Sequence, residues 1–430
     1  MGIIFWICAV CLVCIIASVI FYRPYLSVVF VLVSIPFEGK ADFGYILIYP
    51  LEAILTISVL ICIYKSIVGR YNYFGNTKLV YCCIPFVLCI MMSTVKSIEL
   101  LLTVKEIVRW LELFLIYFLT INLINEEKKM RVVLSSMVLN ATLVSIYGII
   151  SYYNGVGSAS WGHRASSFFG NPNPLVGYVN LIIPVLIGML MASVTLWVRI
   201  MLGAFVVISV IAWFLSLSIS GWLSLILTMV LIFFLIKTKK KVLPFLVIFI
   251  VIFAITFLFS DIINDSLGRE RLQPVRRSLE FRAKCYSMGF DIVKDDLVFG
   301  IGTGNYHSLI KRFSENATSV SLGIRNLVVA SHLHSLYLQV FVEIGVIGLS
   351  AFVFWLVCVV RYLVSSLNTL ENTRNYWLFV GLVGGAVVYL INNLADVLVV
   401  HGIHLQWGII LGLAVVLTQF RESKTCLKVT

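Results

Sequence analysis

Long apolar runs, separated by short clusters of charge, recur along the whole of this 430-residue chain. A bilayer span needs about 20 apolar residues. Runs of that order stand near residues 3–21, 25–37, 44–64, 78–95, 106–124, 132–152, 175–193, 197–215, 219–236, 242–260, 336–360, 376–397 and 403–420. The second run is short, so the pattern predicts 12 or 13 transmembrane helices. The first 21 residues lack a basic leader and a small-residue cleavage motif, which predicts a retained first span. One long polar segment interrupts the pattern, Asp261 to Ser331, with ten basic and eight acidic residues. Inside it Leu279, Arg282, Tyr286 and Phe290 recur three to four residues apart, which predicts a helix with one apolar stripe. VFGIGTGNYHSL at 298–309 breaks that pattern. A dinucleotide fingerprint needs a strand before its glycines and a helix after them, so GIGTG reads as a glycine-rich turn. The expected division is a bundle over 1–260, a loop subdomain over 261–333, and C-terminal helices with a short tail over 334–430.

Composition agrees with the periodicity. Hydrophobic residues make up 61% of the chain and charged residues 12%, about half the share usual in soluble domains. That excludes a water-soluble fold and predicts an all-α polytopic membrane protein. Lysine and arginine favour the cytoplasmic side of short loops. One set of loops and the tail holds Arg23, Lys65, Arg70, Lys78, Lys128, Lys129, Arg131, Arg199, the KTKKK run at 237–241, Arg361, Arg374, Arg421, Lys424 and Lys428. The opposite short loops hold only Lys40, Lys96, Lys105, Arg109 and Arg164. The asymmetry puts residues 261–333 outside. It also makes the net charge of +12 a topology signal rather than a sign of nucleic-acid binding. Of ten cysteines only Cys285 falls in the outer loop, so no disulfide framework is expected. No metal-ligand spacing stands out along the chain.

Candidate chemistry gathers at the outer boundaries. His332 and His334 stand where the polar segment meets the 336–360 run, and imidazole titrates most readily near neutrality. If the chain is extended there the two share a face; if a helix has begun they diverge. Arg282 sits among Phe281, Ala283 and Tyr286 on the expected loop helix, while Arg276 and Arg277 read as solvated. A second outer segment, SYYNGVGSASWGHRASSFFGNPNPLVGYVN, contains Arg164, Asn171 and Asn173. The asparagines are either the cap of a helix start or donors to an anionic or sugar ligand. An arginine fork suits phosphate oxygens. His307 is a lesser candidate, and His163, His401 and His404 read as headgroup-level anchors. Glu343, Asn392, Asn393 and Asp396 lie inside apolar runs, where polar groups turn toward the bundle interior.

GNPNPLVGYVNLIIP, FRAKCYSMGFDIVKDDLVFGIGTGNY and HSLYLQVFVEIGVIGL, in this order, resemble the O-antigen ligase and polymerase superfamily of bacterial envelope glycan enzymes. The resemblance implies a GT-C-like helical fold in the inner membrane. Its implied activity moves a glycan from an undecaprenyl-diphosphate carrier to a sugar hydroxyl, such as lipid A-core or a growing glycan. That chemistry takes place on the periplasmic face and needs no nucleotide sugar, cofactor or metal. On the same grounds His334 is the base toward the acceptor hydroxyl and Arg282 holds the diphosphate. Arg164 lies in the earlier outer loop where a second phosphate-binding arginine is expected, and Asn171, Asn173 and His332 are, by residue type and position, the further candidates for substrate binding. Relatives often carry Ser-Arg-Gly at the outer end of the ninth span, whereas SLSISGWLSL at 216–225 has Ile219 in place of the arginine. A transporter or flippase of lipid-linked oligosaccharide is the competing expectation. It predicts internal repeats and matched helix breaks, and neither stands out in this chain.

Overall fold

The computed structural model describes the chain outside residues 1, 38–40, 43–46, 49, 70–77, 157–163, 237–242, 244–246, 248–249, 252–272, 317–331, 372, 374 and 427–430. The described residues are helical apart from turns and one two-stranded ladder, Ala41–Asp42 against Leu47–Ile48. Six helices among them are long and apolar enough to cross a membrane, at Leu79–Lys96, Glu127–Tyr153, Pro172–Ala192, Leu196–Leu215, Leu336–Leu370 and Ile403–Phe420. The apolar helices Ile219–Leu235 and Tyr376–Asn392 are shorter, and a further helix runs Gly2–Tyr22. Leu100–Leu123 is long but carries Lys105, Glu106, Arg109 and Glu112. The short run at 25–37 becomes the nine-residue helix Leu26–Ser34. The expected span over 242–260 falls largely outside the described residues. The protein is an all-α multi-pass membrane protein.

The Pro172–Ala192 helix is the centre of the bundle. It is apolar on every side and buried over most of its length, as a helix without a polar face must be. Tyr376–Asn392 packs along it through small residues. A methyl group on Gly188 would lie 2.5 Å from the Trp377 carbonyl, and one on Gly381 would lie 2.6 Å from that of Pro184. Close backbone approach of this kind drives helix association where lipid supplies no hydrophobic contrast. Leu196–Leu215 is the reverse case, with few buried positions and an exposed apolar surface.

The span expected at 376–397 ends at Asn392, because Asn393 and Asp396 organise a turn. The Asn393 side chain donates to the Tyr389 carbonyl at 2.8 Å and accepts from the Leu398 amide at 3.0 Å. The backbone oxygens of Asn393 and Asp396 both accept from the Leu336 amide, at 3.0 and 3.2 Å. Asn392 accepts from the Ser224 hydroxyl at 3.3 Å. Both asparagines therefore hold structure, and this turn meets the start of the Leu336–Leu370 helix.

That helix is broken at Gly345, where φ is 72° and ψ is −171°. The glycine-rich turn repairs the break. Ile301 and Gly302 donate to the Val342 and Glu343 carbonyls at 3.0 and 2.8 Å, and Val346 donates to Leu297 at 2.9 Å. Freed backbone groups at membrane depth need such partners. Gly345 tolerates no side chain, since a methyl would lie 2.2 Å from the Val298 carbonyl. The turn also docks on the bundle through Lys96, which reaches Asp296 at 2.5 Å and the Gly300 carbonyl at 2.9 Å. A small second core joins Cys285, Val293, Tyr306 and Ile310 to Leu333 and Val342.

Candidate functional site

The loop helix forms at Gln273–Val293, but its buried face differs from the expected stripe. Leu279 and Phe290 are more than half exposed, whereas Cys285 is fully buried. The helix is rotated toward Cys285 and Gly289 because only small side chains fit there. A methyl on Gly289 would lie 2.8 Å from Leu333. Burial pushes the Cys285 thiol up to about 11. The rotation turns Phe281, Arg282 and Tyr286 toward the bundle.

Arg282 then meets the reversal between Leu196–Leu215 and Ile219–Leu235. Its Nη2 lies 3.5 Å from the Ser220 hydroxyl. The reversal is tight enough to hold Leu217 at φ 49°, a conformation uncommon for a residue with a β-carbon. Arg164 reaches the same turn and donates from Nε to the Ser216 carbonyl at 2.8 Å. The Ala165 amide donates to Leu215 at 2.9 Å and pins the segment. Burial, and then the charge of Arg282, lowers the Arg164 guanidinium to about 10. Two cations thus meet at the 216–220 reversal.

Asn171 caps Pro172–Ala192, its side-chain oxygen accepting from the Asn173 amide at 3.0 Å. Asn173 accepts from the Ser218 hydroxyl at 3.1 Å. The capping reading holds for Asn171, and Asn173 braces the reversal that carries Ser216 and Ser220.

His332 and His334 precede the helix, which starts at Leu336. Their rings converge, with centroids 4.9 Å apart. His334 has φ 52°, a strain of order 1–3 kcal/mol that persists only where surroundings over-determine it. The surroundings do so. Tyr286 donates to the His334 carbonyl at 3.2 Å, Phe281 meets the imidazole edge-on at 5.6 Å, and Ser335 caps the helix at the Leu338 amide.

His334 Nδ1 stands 3.7 Å from Asp396 Oδ1. Burial acts to raise the Asp396 carboxyl, but His334 and then His332 outweigh it, and the Val397 amide adds a hydrogen bond at 2.9 Å, so the group is held below its usual range. Asp396 is the residue that sequence reasoning missed. It lies within an apolar run and far beyond His334 in the sequence, so local spacing does not join the two. The other histidines divide. His307 is exposed, and His163 and the side chain of His401 lie outside the described residues. His404 is not a headgroup anchor, because its side chain is only 3% exposed and faces Glu112 across 3.9 Å.

One loop helix therefore carries the residue that faces the arginine space and the residues that hold the histidine space. Residues 204–353 match the family model described as O-antigen ligase. The match includes the 216–220 reversal, Arg282, His332 and His334. Arg164, Asn171, Asn173 and Asp396 lie outside it and are joined to it only in space. No curated protein matches the chain. This stretch, about a third of the chain, is similar to the O-antigen ligase family, and it lies within a multi-pass membrane protein.

Proposed function

We propose that the protein is an inverting glycosyltransferase of the bacterial inner membrane, acting on its periplasmic face. It takes a glycan from a polyprenyl-diphosphate carrier and joins it to a sugar hydroxyl of a glycan or lipid A-core acceptor. The observation that carries this reading is the pairing of Arg164 and Arg282 about the 216–220 reversal with His334 and Asp396, bridged by the Phe281–Tyr286 face of one helix.

In the reaction His334 takes the proton of the acceptor hydroxyl through the ring nitrogen not facing Asp396. The acceptor oxygen bonds to the anomeric carbon as the bond from that carbon to the diphosphate breaks. The electron pair leaves on the diphosphate, where Arg164 and Arg282 stabilise it. A single displacement with no covalent sugar intermediate inverts the anomeric centre. Proton removal by a positioned base contributes typically 10² to 10⁴ in rate, and preorganised stabilisation of developing charge is often the larger contribution. Before donor binds, the two arginines repel in a space short of water. A bound diphosphate removes that repulsion, so the same pair binds donor and stabilises its departure. Asp396 acts through His334, holding the imidazole by its Nδ1 side in one orientation. No metal or cofactor enters this scheme.

The test is reconstitution of purified protein in liposomes with a polyprenyl-diphosphate-linked glycan and an acceptor. Formation of a new glycosidic bond, lost in His334→Ala while the variant remains folded in the membrane, is the expected result. Movement of donor across the bilayer without a new bond is the outcome expected of a flippase.

A further inference from the structure

His332, His334 and Asp396 form a cluster whose members each offer one metal-ligand atom, all within 4.8 Å of one another. We propose that these three side chains form a site for a borderline transition-metal ion such as Zn²⁺, and that the bound ion silences His334. The inhibitory half rests on the reading of His334 as base. The binding half rests on the geometry alone.

Two imidazoles and one carboxylate suit Zn²⁺ or Co²⁺, whereas Mg²⁺ and Ca²⁺ prefer all-oxygen sets. Zinc bonds to nitrogen and oxygen are about 2.0–2.2 Å, so tetrahedral ligands stand roughly 3.3 Å apart. His334 Nδ1 and Asp396 Oδ1, at 3.7 Å, are close to that spacing already. The three ligand atoms lie within 4.8 Å of one another, so the set contracts modestly on binding. His334 Nδ1 is buried and faces Asp396 across a gap slightly wider than a hydrogen bond. Asp396 is fixed by the Val397 amide and by its own carbonyl on Leu336. Three protein ligands leave a fourth position for water or an anion.

A metal on Nδ1 leaves the ring proton on Nε2. That nitrogen then only donates, and cannot accept a hydroxyl proton. The loaded protein is therefore inactive and a chelator restores it, the opposite sign to a catalytic metal, whose removal abolishes activity.

The experiment uses full-length protein in nanodiscs, with any affinity tag removed and no donor or acceptor present, titrated with Co²⁺. The visible ligand-field absorption of tetrahedral cobalt reads binding directly. The expected result is one cobalt per chain, displaced by Zn²⁺. Affinity falls at least roughly tenfold in His332→Ala and in the near-isosteric Asp396→Asn, and is retained in His307→Ala. Absence of the band in wild-type protein, or unchanged binding in both variants, overturns the site. With substrates added, zinc at the occupancy fixed by the spectrum lowers transfer about a hundredfold or more, and chelation reverses it. An unchanged rate at full occupancy overturns the inhibition. Full transfer activity in His334→Ala instead defeats the base assignment, and leaves the spectroscopic result to decide the site by itself.

Discussion

Among the described residues, two histidine–carboxylate pairs stand at nearly equal separations. His334 Nδ1 faces Asp396 across 3.7 Å, and His404 Nε2 faces Glu112 across 3.9 Å. The first pair is 20% and 10% exposed, lies where three segments meet, and has a second imidazole beside it. Its histidine is held at positive φ, and the helix that braces it also presents Arg282. The second pair is 3% and 6% exposed and lies between two packed helix bodies. There Gly408 and Gly412 bring Ile403–Cys426 against Leu113 and Thr120. A histidine beside a carboxylate is thus not a site in itself. Access, a strained backbone and cationic neighbours distinguish the pair that can meet a substrate from the pair that joins helices.

Breaking the first pair has the largest expected effect. His334→Ala lowers turnover by about 10² to 10⁴ with little loss of folded protein, measured as product formed per folded molecule in reconstituted membranes. Next come the cations. Arg282→Ala and Arg164→Ala each cost about 10² to 10³ if they stabilise the leaving diphosphate. Stability moves the other way. The folded-state value of Arg164 lies below its ordinary one, so folding carries the full cost of its charged form at every pH below about 10, and that cost shrinks only as pH rises from there toward the ordinary arginine value. Arg282→Ala relieves part of this cost, and the substrate-free protein unfolds at the same or a higher temperature. Inorganic pyrophosphate should stabilise the wild type and not the double arginine variant.

Smaller effects sharpen the contrast. Asp396→Asn keeps shape and loses charge. As a positioning residue it should lower kcat by about ten- to a hundredfold with KM little changed. His404→Ala leaves Glu112 buried without its partner and costs about 1–3 kcal/mol of stability, read as a lower unfolding temperature, while turnover per folded molecule holds. Gly188→Ala, at the seam with Trp377 and Gly381, should behave likewise, by overpacking worth about 1–3 kcal/mol.

The membrane class and most helices were legible because apolar runs of span length admit few other structures. Helix ends were less so. Asn393 and Asp396 lie in an apolar run, and only the hydrogen bonds they make with Leu336 and Leu398 end the helix at Asn392. His334 and Arg282 stood out by residue type and by the resemblance of their surroundings. The loop helix was placed correctly and its face misjudged, because hydrophobicity selected Leu279 and Phe290 while close packing selected Cys285 and Gly289. Asp396 and the contact of Arg164 with the 216–220 reversal depend on neighbours far along the chain. Local spacing carries no trace of either.

The most direct test compares the two pairs in one assay. His334→Gln and His404→Gln, each amide close to imidazole in size, are reconstituted side by side and their turnover per folded molecule is measured with a lipid-diphosphate glycan donor. The account predicts that His334→Gln loses about a hundredfold or more, while His404→Gln keeps wild-type turnover and loses only thermal stability. Equal losses in both, or full turnover in His334→Gln, would contradict it.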